Sequence, residues 1–163
     1  MEPLSALPPK TVQATAITMA VLMLPADANP FGQVHGGTVM KLVDSAAAVA
    51  AHRHARAQVA TVRIDDMSFL APVQVGDLLT LRASVNAVWR TSMEVGVRVE
   101  TENLTTGIVT HTSSAYLVFV ALDTALRPRD LPPLVAETPD EQRRLAAAQL
   151  RRARRLTARA LQT

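Results

Sequence analysis

The chain has 163 residues, 48% of them hydrophobic and 19% charged, which is typical of one soluble domain with an additional tail. No apolar run approaches the roughly 20 residues that span a bilayer, and the first ten residues lack the pattern of a secretory signal. The absence of cysteine excludes disulfides and thiolate chemistry, and a net charge of only +3 argues against a nucleic-acid partner, so we expect a cytoplasmic protein that does not contact a membrane.

The N-terminal part of the chain predicts an arm, a strand, a loop and a long helix. Residues 1–10 contain three prolines and predict an irregular arm, and the apolar, β-branched run from Thr11 to Leu24 predicts a strand. Turn-forming residues from Pro25 to Gly32 predict a loop. The run GGTVMKLVDSAAAVAAHRHA has apolar residues at helical spacing, and its small alanines would let a sheet pack closely around the helix.

The C-terminal part predicts four strands and a basic helix. Strand-like segments lie at residues 58–70, 78–89, 92–100 and 108–122. One early helix followed by consecutive strands predicts an α+β fold with a mostly antiparallel sheet. We expect the following organisation: domain 11–123, proline-rich linker 124–139, and basic helix 140–163 with Thr138 or Asp140 as its cap.

Asp44 interrupts the apolar pattern of the long helix. A carboxylate between Val43 and a run of alanines is costly to bury unless it faces water, a partner or a site. A solvated position on an amphipathic helix is the simpler interpretation. The alternative is a catalytic carboxylate that acts together with the start of the helix, where Gly36 and Gly37 present backbone N–H groups at the positive end of the helix dipole.

The spacing of these features predicts a shared site. Asp44 follows Gly37 by seven residues, which is about 10 Å along a helix. That separation is too long for both groups to act on one carbonyl within a single subunit. A site that uses both would therefore form across a dimer interface.

The run NPFGQVHGGTVMKLVD resembles the signature of hotdog-fold acyl-CoA thioesterases, in particular the brain-type acyl-CoA hydrolases and their hexameric bacterial relatives. The resemblance continues through VATVRIDDMSFLAPVQVGD, RTSMEVGVRVETENLTTG and SSAYLVFVALD, and covers about residues 12–123. It implies a hotdog fold, in which an antiparallel sheet wraps around one central helix. It also implies hydrolysis of fatty acyl-CoA to free acid and CoA by a homo-oligomer, with a dimer as the minimal active unit and a tetramer or hexamer as the assembly. No metal or cofactor is implied, because coenzyme A is part of the substrate.

The same resemblance implies roles for individual residues. Asp44 would act as general base or nucleophile, Asn29 would orient the water or the thioester, and the backbone of His35, Gly36 and Gly37 would contact the oxyanion. Residues that would hold coenzyme A are Val62, Arg63, Ile64, Thr91, Ser92 and Met93, with help from Arg90 and with Arg151 or Arg152 near the phosphates. Trp89 departs from the pattern, because many relatives have glycine before the turn; its side chain would either narrow the nucleotide groove or pack beneath it.

Other functions are compatible with parts of the pattern. The main alternative is a hotdog module that binds acyl-CoA without hydrolysing it. The arginine-rich tail could instead contact nucleic acid or a membrane, but it has no aromatic residues for stacking or anchoring. A hydratase would need an Asp/His pair that the sequence does not suggest. His52, His54 and His111 are interpreted as structural residues and not as metal ligands.

Overall fold

The computed structural model describes residues 7–161 of the chain. Most of the predicted arm and the last two residues of the predicted tail helix lie outside that range. In chain order the elements are β1 (Lys10–Thr11), α1 (Val12–Thr15), β2 (Ile17–Leu22), a 3-10 turn (Pro25–Asp27), α2 (Gly36–Ala55), β3 (Gln58–Phe69), β4 (Leu78–Val88), β5 (Ser92–Glu102), β6 (Val109–Leu122), β7 (Leu134–Val135) and α3 (Pro139–Ala160).

A five-stranded sheet of order β2-β4-β5-β6-β3, antiparallel throughout, carries helix α2 on one face. Four alanines of α2 are fully buried against the sheet, and they explain how the strands come close enough to enclose the helix: Ala46, Ala47, Ala50 and Ala51. Leucine, valine and phenylalanine side chains from alternate strand positions complete the core. The predicted α+β class and the predicted extent of the long helix are confirmed.

The predicted single strand from Thr11 to Leu24 is wrong in its first half. The Thr11 side chain accepts a hydrogen bond from Ala14 N at 3.2 Å and caps one helical turn, which buries Val12 and Thr15. Only residues 17–22 then join the main sheet. Local capping therefore overrides the β-propensity of the run.

The proline-rich segment after the domain also contains a short strand. β7 pairs in parallel with β1, with Lys10 opposite Leu134, and forms a separate two-stranded sheet. The Lys10 side chain also donates to the carbonyls of Arg53 and His54 at 3.1 and 2.7 Å, and so caps the C-terminal end of α2. The residues before β2 and those after β6 are therefore paired with each other, and Lys10 stabilises the C-terminal end of α2.

Helix α3 crosses the face of the sheet opposite α2, which we call the outer face. The Thr138 side chain accepts a hydrogen bond from Glu141 N, and the Glu141 side chain accepts one from Thr138 N. This reciprocal capping explains why the helix begins at Pro139. Thr138 is thus confirmed as the cap. None of the helices within residues 7–161 is long and apolar enough to cross a membrane.

Strand β3 lies at an edge of the sheet and is irregular. Its pairing with β6 shifts twice, between Thr61 and Arg63 and between Ile64 and Asp66. Each shift adds one unpaired residue to β3, as in a β-bulge, and bulges re-aim the side chains that follow them. This edge strand carries the residues that face the middle of α2.

Candidate active site

Asp44 lies in the middle of α2 and is half-buried. Thr61 in β3 donates a hydrogen bond from Oγ1 to Asp44 Oδ1 at 2.8 Å. Oδ2 accepts no hydrogen bond from any residue between 7 and 161. A carboxylate oriented through one oxygen, with the second oxygen available, is suited to accept a proton from a water or to attack a carbonyl.

The start of α2 offers a backbone donor. His35 is the N-cap residue, and its Nδ1 accepts from Gly37 N at 3.0 Å, while Thr38 N and Val39 N bond to the His35 carbonyl. Gly36 N has no acceptor within the described part of the chain. Of the two predicted glycine donors, Gly36 is therefore the one that remains available, and Gly37 supports the loop.

The two glycines differ in the space around them. A Cβ on Gly37 would lie 3.1 Å from His35 Nδ1, so this glycine lets the imidazole reach the helix end. A Cβ on Gly36 would meet only the Phe69 ring, at an ordinary 3.7 Å. The contacts within one subunit therefore do not require glycine at position 36. A group that approaches this position from outside the subunit would explain why it has no side chain.

Asn29 shapes the loop that leads to α2. Its Oδ1 accepts from Phe31 N at 2.9 Å and from Gln33 N at 3.2 Å, in the manner of an Asx turn. Its Nδ2 donates to no residue in the range 7–161. The side chain can therefore hold the loop with its oxygen and still donate to a water or a thioester oxygen.

Apolar side chains surround this region without being buried in the single chain. The larger ones on the α2 and β3 surface are 39–57% exposed: Met40, Val49, Val62, Ile64 and Phe69. A cavity of about 250 Å³ lies beside the start of α2 and is lined by Gly36, Val39, Phe69, Leu70 and Pro72 among others. Exposed apolar side chains in this number on adjacent elements are typical of an interface.

A second cavity, of about 400 Å³, lies on the outer face beneath the last turns of α3. It brings together four of the residues predicted to hold coenzyme A, namely Val62, Arg63, Ser92 and Arg152. Trp89 also lines it, and Arg152 Cζ lies 4.4 Å from the centre of the Trp89 ring. Trp89 therefore forms a wall of this groove and does not pack beneath it.

Arg152 is a half-buried cation of the groove that has no carboxylate partner among residues 7–161, and the exposed Arg159 has none either. Its Nη1 is buried and has no acceptor in the described residues. Burial, helped by the nearby Arg155, lowers the pKa of Arg152 from its ordinary value. An anion in the groove would relieve both penalties.

Other predicted coenzyme A contacts lie elsewhere. Met93 is fully buried, because strand alternation turns its side chain toward α2, so it does not line the groove. Arg90 is exposed and pairs with Asp130 at 3.0 Å, and the Thr91 carbonyl accepts from Ala121 N. The resemblance implied a common role for this turn, but the alternation of the strand turns neighbouring side chains to opposite faces.

Two further predicted contacts are also placed away from the groove. Arg151 forms an ion pair with the fully buried Glu94 at 2.7 Å and stacks on the Tyr116 ring, so its charge is already compensated. Ile64 pairs with Leu117 of β6, whose side chain belongs to the α2 side of the sheet. Of the two candidate arginines on α3, Arg152 is therefore the one placed for an anion.

Three of the histidines, His52, His54 and His111, have structural contacts outside the candidate site. His54 is buried and its Nε2 lies 2.8 Å from the Pro132 carbonyl; burial lowers its pKa. His111 contacts Ser113 and Ser114, and His52 contacts the Ala57 carbonyl. No group of three or more histidine, aspartate or glutamate residues within 7–161 is arranged to hold a metal ion.

Thr61 was not predicted from the sequence. It lies one residue before the segment that was assigned to coenzyme A, within an ordinary strand pattern. Its contact with Asp44 depends on how β3 is placed against α2. The only signal in the sequence is a hydroxyl among apolar residues on a strand that follows the helix.

The comparisons with known proteins agree with this architecture. A family model described as the thioesterase superfamily matches residues 31–108. An uncharacterized acyl-CoA thioester hydrolase of Zymomonas mobilis is 42% identical over 118 residues, which are 70% of this chain and 76% of that protein. A second protein of that description, from Bacillus subtilis, is 36% identical over 119 residues, or 73% and 69% of the two chains.

Solved structures extend the likeness to nearly the whole chain. An apo-hexameric acyl-CoA thioesterase superposes with a TM-score of 0.91 at 36% identity, over 94% of this chain and 99% of that one. An acyl-CoA hydrolase from Staphylococcus aureus, in complex with butyryl coenzyme A, coenzyme A and coenzyme A disulfide, superposes with a TM-score of 0.88 at 32% identity, over 95% and 94%. The predicted hotdog fold is thereby confirmed.

Further structures of the Staphylococcus aureus hydrolase carry single alanine substitutions of an aspartate, an asparagine and a threonine. The numbers of those three residues are each one lower than the numbers of Asp44, Asn29 and Thr61 in this chain. On its fold and on its similarity to these proteins, the chain belongs to the thioesterase superfamily.

Proposed function

We propose that Asp44 is the catalytic carboxylate of an acyl-CoA thioesterase, which hydrolyses fatty acyl-CoA to free acid and CoA. The observation that carries the assignment is the hydrogen bond from Thr61, which orients one oxygen of Asp44 and leaves the other without a partner among the described residues. The aspartate, asparagine and threonine that were replaced in the Staphylococcus aureus hydrolase support the same set, Asp44, Asn29 and Thr61.

The reaction needs only a base and an oxyanion donor. Asp44 takes a proton from water as the water oxygen bonds to the thioester carbon, and the carbonyl oxygen becomes negative. Gly36 N–H and the positive end of α2 stabilise that charge. When the carbonyl re-forms, the C–S bond breaks, the CoA sulfur takes the proton and the acid is released. Asn29 Nδ2 orients the water or the thioester. Direct attack by Asp44 on the carbonyl is the alternative first step.

The site is completed by a second subunit. Gly36 and Asp44 are eight residues apart on one helix, about 12 Å, so each subunit supplies only half of the machinery at one site. The exposed apolar surface of α2 and β3 supports a dimer, in which the helix start of one subunit faces Asp44 of the other. The hexameric state of a structural relative supports assembly of such dimers into a hexamer.

Coenzyme A enters with its nucleotide end in the groove beneath α3. Arg152 is suited to the phosphates, with Arg63, whose Nε pairs with Asp65 but whose side chain is 56% exposed, as a second donor; Ser92 and Val62 are suited to the neighbouring part of the molecule. Arg151 is not part of this proposal, because it is paired with Glu94. No further cofactor is required by the chemistry. A cytosolic acyl coenzyme A thioester hydrolase of the mouse, 34% identical over 127 residues that make up 33% of that protein, supports a cytoplasmic location.

The decisive experiment compares Asp44→Ala with Asp66→Asn in a thiol-release assay on a panel of acyl-CoAs. Asp66 is an exposed carboxylate on β3 without an ion-pair partner in residues 7–161, so it controls for loss of charge nearby. Loss of a general base costs about 100- to 10,000-fold in rate, and we expect a loss in that range for Asp44→Ala only, with the oligomer retained. Wild-type turnover by Asp44→Ala would refute the assignment, and acyl-CoA binding without thiol release by the unaltered protein would identify a non-catalytic binding module.

A further inference from the structure

We infer that Trp89 is a positioning residue for coenzyme A: its indole ring supports the guanidinium of Arg152 and leaves the N–H groups of that guanidinium available to a phosphate. The inference deepens the proposed function, since it rests on the proposed binding of coenzyme A in the groove beneath α3. It also assigns a role to a side chain at which this chain departs from the sequence pattern of many relatives.

Trp89 lies in the turn between β4 and β5. Its backbone N–H donates a hydrogen bond to the Ser92 carbonyl at 2.8 Å, which closes the turn. Side chains that lie opposite each other across an antiparallel pair point to the same face of the sheet, and Trp89 and Ser92 both line the groove. The hairpin, and not α3, therefore fixes the backbone that carries the indole.

The indole ring of Trp89 stabilises the charge of Arg152. The Arg152 Cζ lies over the indole, 4.4 Å from the ring centre, which is within the range of a cation–π contact. The Arg152 side chain donates no hydrogen bond to any residue between 7 and 161, and its buried Nη1 lacks an acceptor there. Because the N–H groups of a guanidinium lie in its plane, a contact through its face leaves them free. An aromatic ring can therefore hold Arg152 without occupying the atoms that a phosphate would use.

Arg151, the preceding residue on α3, shows the alternative arrangement. It also lies over a ring, 3.7 Å from the centre of Tyr116, but its Nε and Nη2 both donate to the fully buried Glu94. A guanidinium that is paired in this way anchors the helix and has fewer donors left for a ligand. The two neighbouring arginines therefore differ in role, because Arg151 fixes α3 to the sheet and Arg152 is left for an anion.

The surroundings of the ring indicate that Trp89 acts through Arg152 and not by stacking on the adenine base. The Arg155 Cζ lies 5.6 Å from the ring centre, and Arg155 is fixed there by ion pairs with Asp65 and Glu94. Two guanidinium groups thus lie close to the indole and compete with a base for its faces. An arginine that is already ordered against a ring also loses less rotamer freedom when a phosphate binds to it.

The test is a double-mutant cycle between Trp89→Leu and Arg152→Gln, with the Kd of CoA measured by isothermal titration calorimetry on the assembled protein. A charge-assisted contact to phosphate is worth about tenfold in affinity, and a cation–π contact about twofold to thirtyfold. We expect Arg152→Gln to raise the Kd about tenfold and Trp89→Leu to raise it about fivefold. Because the indole acts through the guanidinium, the double variant should bind CoA no more weakly than Arg152→Gln does. Losses that multiply to about fiftyfold would overturn the inference, since they would show that the indole contributes independently.

Matched variants separate this contact from the docking of α3. Trp89→Phe loses the size of the indole but keeps an aromatic face, and its Kd for CoA should stay within about twofold of that of the unaltered protein. Tyr116→Leu removes the ring beneath Arg151, which stays paired with Glu94, and should leave the Kd unchanged. An unchanged Kd in Trp89→Leu, an equal rise in Trp89→Phe, or an equal rise in Tyr116→Leu would each overturn the inference.

Failure of the proposed function would be recognised separately, by full thiol release in Asp44→Ala. That result would refute the catalytic assignment and leave the comparison of Kd values intact, because the cycle measures binding only. An unaltered protein that does not bind CoA would instead overturn the inference about Trp89.

Discussion

The two faces of the sheet use buried carboxylates in opposite ways. Glu94, on the outer face, is fully buried and receives hydrogen bonds from Arg151 and Asn86, with Arg155 close by. Asp44, on the α2 side, is half-buried and receives one hydrogen bond, from Thr61. A carboxylate whose oxygens are all occupied stabilises a fold, whereas one with an unoccupied oxygen can do chemistry. The contrast explains why the more deeply buried of the two acids is not the catalytic candidate.

The largest effect should come from replacing Glu94, the buried carboxylate whose oxygens are all occupied. Removing one partner of a buried ion pair costs about 3–5 kcal/mol, because the remaining charges are left uncompensated. We expect Glu94→Gln to lower the free energy of unfolding by an amount in this range, measured by urea denaturation. Glu100→Gln, which removes an acceptor from the more exposed Arg82 and Arg98, should cost much less. Equal losses in the two variants would contradict the contrast.

At the start of α2, a substitution of Gly36 should lower activity and not stability. Alanine at Gly36 fits the single subunit, because its Cβ would meet only the Phe69 ring at 3.7 Å. In the proposed mechanism its methyl group would lie where the thioester oxygen approaches. Alanine keeps the backbone N–H, so the variant acts by blocking access to it; loss of one oxyanion contact costs about 100-fold or more in kcat, and we expect Gly36→Ala to lose about that much without a lower melting temperature. Gly37→Ala should instead be destabilising, because its Cβ would crowd His35 at 3.1 Å. Full activity in Gly36→Ala would exclude this helix end as the oxyanion site.

A smaller effect distinguishes two of the arginines of α3, Arg152 and Arg154. Arg152 faces the groove without a carboxylate partner, whereas Arg154 is exposed and away from the groove. A lost charge-assisted contact to phosphate is worth about tenfold in affinity. We expect Arg152→Gln to raise KM about tenfold for acyl-CoA but not for the matching acyl-pantetheine, which has no nucleotide. Arg154→Gln should leave both values unchanged, and an equal rise in KM for both substrates would disprove the phosphate contact.

The smallest effect concerns His54 at the end of α2. Burial lowers its pKa in the folded state, so the unfolded chain takes up the proton first as the pH falls. The stabilising contribution is complete above the unfolded pKa, about 6.5, and is lost as the pH falls below it. The loss for one proton is at most about 1.4 kcal/mol per pH unit. Urea denaturation at pH 7.5 and 5.5 should show a smaller pH dependence in His54→Gln, and an unchanged dependence would exclude this residue as its source.

Much of the architecture could be predicted from local patterns. Helical spacing and absence of proline predicted α2 to its last residue, Ala55, and alternation with turn formers predicted the four long strands to within two residues at every end. The one-turn helix after Thr11 was missed, because a single capping hydrogen bond outweighs a run of β-formers. The β1–β7 pairing was missed because it joins segments more than 120 residues apart along the chain.

The residues of the candidate site also fall into two groups, those that the local sequence indicated and those that depend on tertiary contacts. Asp44 and the glycine pair could be named from local pattern, because an acid in an apolar helix and glycines at a helix start are anomalies. Asn29 could be named only through the resemblance to the thioesterase signature. Thr61, the occupied state of Gly37 N, the pairing of Arg151 with Glu94 and the buried Met93 were decided by tertiary structure alone. The local sequence determines which functional groups the site can contain. Which atom of each group remains available for hydrogen bonding depends on the residues that folding brings next to it, and those residues are distant in sequence.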